Sequence, residues 1–176
     1  MRKALSPRLE AVVLAALDSP LLMIEPIPVD RGPEDLEELL ELTADESGDP
    51  WTPGWAREVG TGRQVLRMPV WIGASKRTIW SSPTVNYAFR AWHDHLHILH
   101  CAGFDPSGEF IVAKAHERAL RGTEADNPGD RLILRAETQG QFLYHQRWDR
   151  FPTDQRAFVV RCVRKGILAS VEEGGL

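Results

Sequence analysis

The sequence predicts a mainly α-helical protein: a C-terminal bundle of about four helices, preceded by an N-terminal α/loop region with one or two short strands. Three observations predict it. Capping residues followed directly by proline open apolar segments at Ser6-Pro7, Ser82-Pro83 and Asp105-Pro106, the side chain taking up free N–H groups while proline occupies the first helical position. Apolar residues recur at helical spacing almost everywhere beyond Ser81. Glycine and proline instead crowd residues 44–62, which read as loop. With 176 residues, one domain is expected: residues 1–81 carry N-terminal helices, an acidic segment and loops, and residues 82–168 form the helical core.

In chain order, the first helix is expected from Pro7 to about Leu17, its apolar stripe made by Leu9, Val12, Val13 and Ala16. Residues 21–32 read as extended, with Pro26, Pro28 and Gly32 among apolar residues. Pro33 opens an acidic helix to about Leu42, with Leu36, Leu39 and Leu40 facing inward. Trp51 and Trp55 are expected to pin the loop that follows. Residues 63–72 read as strand, and so do residues 77–80.

The best-marked helix runs from about Pro83 to Cys101, with Val85, Ala88, Trp92, Leu96 and Leu99 as its core stripe and Gly103 beyond its end. A second follows from Asp105 to about Arg121, a third from Asp130 to about Arg147, and a fourth from Asp154 to Lys165, stopped by Gly166. Residues 171–176 read as a loose tail.

Charge narrows the function classes. The formal net charge is −4, which disfavours a protein built to grip nucleic acid. The charge is uneven: residues 21–60 carry eleven acids against two arginines, and residues 131–165 carry eight basic residues against three acids. Cys101 and Cys162 form no CxxC pair, and free thiols fit a cytoplasmic setting. No stretch approaches the roughly 20 apolar residues that span a bilayer.

All six histidines follow residue 92, and four fall within Trp92-His93-Asp94-His95-Leu96-His97-Ile98-Leu99-His100. On a helix, spacings of four and three put His93, His97 and His100 on one face, while His95 points elsewhere. That face extends back to Arg90 and Asn86 and borders the core stripe. Two imidazoles one turn apart can close on one metal ion. Asp94 would add a ligand or orient one. Read as a strand, His93, His95 and His97 would share a face instead, but the cap, the proline and the helical stripe favour helix.

A helical metal site needs ligands from neighbouring helices. Glu109 stands in the first turn of the next helix, which a short connection makes antiparallel to the first. His116 follows two turns later on the same face. Glu137 is a further candidate as ligand or general base, with Gly140 leaving room one turn on. Mixed imidazole and carboxylate ligands suit zinc, manganese or iron. Arg90 and Arg135 could hold an anionic group.

The His93-Asp94 doublet is similar to that of the HD phosphohydrolase superfamily, which is helical and metal-dependent. That superfamily also requires a histidine upstream of the doublet, and none precedes His93. Ferritin-like di-iron proteins use two Glu-x-x-His motifs, and this chain has no glutamate three residues before a histidine.

The expectation is therefore a metal-dependent enzyme, a hydrolase acting on a phosphate or other ester. His93, His97, Glu109 and His116 would hold a divalent ion (Zn, Mn or Fe), Asp94 and Glu137 would be catalytic, and Arg90 and Arg135 would bind a small anionic substrate. The alternative is a non-catalytic interaction protein, an assembly component or an inhibitor of a protein partner, motivated by the charge asymmetry and the tryptophan-bearing loop. A di-metal oxidase within a bundle is a third reading.

Overall fold

The structure, a computed structural model, describes residues 3–18, 22–27, 32–44, 55–57, 64–72 and 77–174. It is mainly α, as the capping and spacing predict. Helix α1 (Pro7–Asp18) precedes strand β1 (Leu22–Ile27), helix α2 (Leu36–Thr43), and strands β2 (Trp55–Arg57) and β3 (Gln64–Trp71). Then come α3 (Pro83–Leu99), α4 (Pro106–Ala119), α5 (Pro128–Arg135), a π turn at Ala136–Gly140, α6 (Gln141–Trp148), α7 (Gln155–Lys165) and α8 (Ile167–Glu172). No helix among the described residues is long and apolar enough to cross a membrane.

The caps behave as their chemistry requires. Ser6 Oγ accepts from the Leu9 N–H at 3.2 Å, and Ser82 Oγ from Val85 at 3.3 Å. The Asp105 carboxylate accepts from the N–H groups of Ser107 and Gly108 at 2.8 and 3.0 Å. Each closes a helix start that would otherwise leave free donors.

The sheet is small. β1 runs parallel to β3, with Ile24 opposite Met68, and β2 lies antiparallel on the other edge of β3. Leu22, Leu66, Met68 and Val70 pack with Ala91 of α3 as one apolar cluster. The larger core gathers Leu9, Val13, Trp80, Phe89, Trp92, Leu134, Tyr144 and Phe158. Helix α3 therefore stands at the centre, touching α1, α2, α4 and both β1 and β3.

Four expectations are corrected. Residues 77–80 form bends, not a strand. Their carbonyls are taken by N–H groups from remote segments: Leu5 donates to Ile79 and Arg156 to Arg77, at 2.8 and 3.0 Å. Residues 55–57, expected in a loop, pair as β2 with β3, Trp55 opposite Leu66; Trp51 lies outside the described residues. The expected tail is helical at its first two residues, where α8 (Ile167–Glu172) ends, Val171 being buried with its carbonyl accepting from Trp148 Nε1 at 2.8 Å. Leu99 is 60% exposed and leaves the core stripe, since α3 ends there.

The third bundle helix starts earlier than expected, at Pro128 under an Asn127 cap, and is widened by the π turn. Gly140, expected to leave room beside Glu137, lies instead against α7: a Cβ there would stand 3.3 Å from Phe158.

Candidate metal centre

Helices α3 and α4 build the site. His97 meets Glu109 at the start of α4, and His93 meets His116 two turns further on. The later part of α3 thus faces the earlier part of α4, which is the antiparallel pairing the short connection predicts. Gly108 permits the tight turn between the two helices: a Cβ there would fall 1.9 Å from the carbonyl oxygen of Gly103. Glu109 is the next residue, so this tight contact sets where its carboxylate stands.

Three side chains bring potential ligand atoms together: His93, His97 and Glu109. His97 Nε2 and His93 Nε2 are 3.2 Å apart. Glu109 Oε1 lies 3.5 Å from His97 Nε2, and its Oε2 lies 3.7 Å from His93 Nε2. Zinc binds nitrogen and oxygen at roughly 2.0–2.1 Å in tetrahedral geometry, so neighbouring ligand atoms should stand roughly 3.3 Å apart. The two nitrogens stand near that spacing, and the Glu109 carboxylate approaches each of them with a different oxygen.

The outer contacts orient the ligand atoms. The Ala102 carbonyl can only accept, so His97 Nδ1–H donates to it, at 2.9 Å, leaving the Nε2 lone pair facing His93 and Glu109. The Ala102 N–H in turn donates to the His97 carbonyl at 2.9 Å, which clamps the turn after α3 onto this ring. His97 is fully buried, against the edge of Phe104. The other histidine is held through its Nδ1, 3.1 Å from His116 Nε2.

His116 accordingly does not join the group as a fourth ligand. It is fully buried, stacked on Phe89 and edge-on to Trp92, and its one described hydrogen bond goes to the back of His93. Burial drives its pKa well below the ordinary value, with the charge tendency of His93 and His97 acting the same way. A neutral His116 accepts the Nδ1–H of His93 and leaves His93 Nε2 toward Glu109.

Electrostatics follow the geometry. Burial alone would raise the Glu109 pKa, but hydrogen bonding and charge interaction with His93 and His97 outweigh it and hold the carboxyl far below the usual range. Burial works to lower the His93 pKa, but Glu109, Asp94 and Glu137 raise it on balance. Burial also raises the Asp94 pKa, against the pull of His93, His97 and Arg90.

A cavity of roughly 230 Å³ adjoins the group. Its polar wall carries His93, Asp94, Glu109, Arg90, Asn86 and Glu137. The widened turn buries Glu137, whose pKa is pushed up to about 8 by burial, against Gln141, Arg90 and His93. Its Oε2 has no hydrogen-bond partner among the described residues. Compared with protein-family models, with curated proteins and with solved structures, the chain matches none.

The remaining expected residues are placed as follows. Asp94 lines the cavity beside His93 but is not one of the three grouped ligands. Arg90 donates to the Trp71 carbonyl at 2.5 Å and lies over the Trp71 ring. Arg135 is not part of the cavity wall: its guanidinium pairs with Glu117. His100 is exposed as the C-terminal cap of α3, so the third histidine of the stripe turns away. His145 packs on Phe151 outside the group. Sequence reasoning missed the apolar wall, made by Trp71, Phe89, Phe104, Phe142 and Phe151. Those residues come from distant segments and carry no spacing signal.

Proposed function

We propose that the protein is a metal-dependent enzyme, a hydrolase acting on a phosphate or other ester, with a divalent ion held by His93, His97 and Glu109. The observation that carries this reading is the convergence of the two Nε2 atoms and the Glu109 carboxylate, with His97 oriented from behind by Ala102 and His93 by His116. Such an ion supplies positive charge and lowers the pKa of a bound water. Zinc, manganese and iron all suit this ligand chemistry.

The chain's own residues supply the rest. Glu137, protonated near neutral pH, donates its proton to the leaving oxygen as the ester bond breaks. The proton lost by water replaces it, so acid and alcohol form from ester and water with no other reactant. Asp94 lies beside His93 on the cavity wall and supports the positive charge of Arg90. Arg90 holds Trp71 in the cavity wall.

The test is elemental analysis of protein purified without a histidine tag, followed by assay of carboxylic and phosphate esters. One equivalent of metal, lost in His93→Ala together with turnover, is the expected result. Absence of bound metal, no stabilisation by zinc, manganese or iron, and no ester turnover would overturn the reading in favour of a non-catalytic interaction protein.

A further inference from the structure

A second cavity lies apart from the ligand group. Among the described residues its wall is Lys3, Arg77, Asp154 and Arg156, and its volume is roughly 430 Å³. It shares no lining residue with the cavity beside His93 and Glu109.

Three segments remote in sequence bring these side chains together. The Leu5 N–H donates to the Ile79 carbonyl at 2.8 Å, and the Arg156 N–H to the Arg77 carbonyl at 3.0 Å. The Arg156 guanidinium adds a further tie: its Nη1 donates to the Lys3 carbonyl at 3.1 Å and to the Ile79 carbonyl at 3.4 Å. The backbone at the chain start, at Arg77 and at the first turn of α7 is thus fixed before a ligand arrives, which lowers the ordering cost of binding.

The contacts leave charge uncompensated. The carbonyls that hold Arg156 are neutral and cancel none of its charge. Asp154 is the one carboxylate on this wall among the described residues. One of its oxygens accepts from Arg77 Nη1 at 3.1 Å, and the other caps α7 by accepting from the Ala157 N–H at 2.9 Å. Three cations against one carboxylate leave a surplus of two positive charges. Like charges set side by side repel, and an anion between them removes that cost.

Donors are left over as well. Arginine carries five N–H donors and the lysine ammonium three. Lys3 Nζ, and Nε and Nη2 of both Arg77 and Arg156, have no partner among the described residues. A phosphate group answers both needs. Its charge approaches two at neutral pH, its terminal oxygens accept, and arginine forks match them bidentately. A monocarboxylate brings half that charge.

We infer that Lys3, Arg77 and Arg156 form an anion site that takes a phosphate group, as the free ion or as a small phosphomonoester. The inference is independent of the hydrolase reading.

The experiment uses the full chain, treated with a chelator so that no ion at His93 can hold phosphate. Calorimetry and phosphorus NMR follow titration with inorganic phosphate and glycerol 3-phosphate, and calorimetry follows acetate at matched ionic strength. Saturable binding of inorganic phosphate or glycerol 3-phosphate, at least about tenfold tighter than acetate, is expected from one further charge-assisted bond. The tighter of the two phosphates identifies the source. Lys3→Ala and Arg77→Ala, both at exposed side chains, should each weaken the phosphate about tenfold. Asp154→Asn keeps the cap, removes the opposing charge and should tighten it. Arg147→Ala, outside this cavity and paired with Glu172, removes the same net charge and should leave the affinity nearly unchanged. An adventitious ion only, seen as phosphates binding no tighter than acetate or as an equal loss in Arg147→Ala, would overturn the inference. Full affinity in both Lys3→Ala and Arg77→Ala would do the same. If Arg77→Ala does not fold, Lys3→Ala and Asp154→Asn decide.

Discussion

The Nε2 atoms of His93 and His97 face each other at 3.2 Å. Two lone pairs at that distance repel, so the gap must hold either a proton or a metal ion. His97 Nδ1 already donates to Ala102, which leaves its Nε2 as the acceptor in both cases. Zinc should therefore stabilise the chain. At about 100 times its dissociation constant the gain is about 2.7 kcal/mol, a rise in Tm of about 5–10 °C for a chain of this size. Calorimetric melting with and without zinc checks this, and His93→Ala and Glu109→Ala should show no rise.

Glu137 gives a pH dependence with a definite sign. Its pKa is about 8 in the fold, above an ordinary value of 4.5. Below 4.5 both folded and unfolded chains hold the proton, and the group contributes nothing. As pH climbs, the unfolded chain ionises first, so stability falls progressively until about pH 8. Glu137→Gln removes this loss. Relative to the parent, metal-free Glu137→Gln should gain on the order of 3 kcal/mol between pH 5 and pH 8. Urea denaturation at both pH values measures the difference, and parallel profiles would show that the carboxyl is not buried as described.

Gly108→Ala places a methyl group on the Gly103 carbonyl. Both are backbone-anchored, so the turn that joins α3 to α4 must shift. We expect a loss of about 1–3 kcal/mol, the usual cost of overpacking, together with weaker zinc binding because Glu109 moves with its neighbour. Chemical denaturation and zinc titration on one preparation report both.

The arginines divide sharply. Arg135 pairs with Glu117 on a partly exposed face, where an ion pair contributes under about 1 kcal/mol. Arg135→Ala should leave zinc binding and ester turnover unchanged. Arg90→Ala removes a charge-assisted bond to Trp71 that contributes about 1.5–3 kcal/mol, and should lower turnover by disordering the cavity wall. Steady-state kinetics of the two variants side by side decide this; equal effects would return Arg135 to the site.

The sequence by itself determined the helices and most of the cluster of His93, His97 and Glu109. Capping side chains act on N–H groups two or three residues away, and prolines act on their own turn, so Ser6, Ser82 and Asp105 mark helix starts without help from the rest of the chain. The four-residue interval between His93 and His97 is likewise local, and Glu109 follows from a connection too short for any pairing but antiparallel. Tertiary structure decided what depends on distant partners. His100 lost its place because α3 stops at Leu99, and His116 found the back of His93 instead of the ligand gap. Arg135 was claimed by Glu117, and residues 77–80 by N–H groups from both ends of the chain. The cavity is the extreme case: Trp71, Phe104 and Phe151 meet only because the sheet, the α3–α4 turn and the end of α6 are packed around one helix. Burial, which sets the charge of Glu137, is a property of that packing and of no short stretch of sequence.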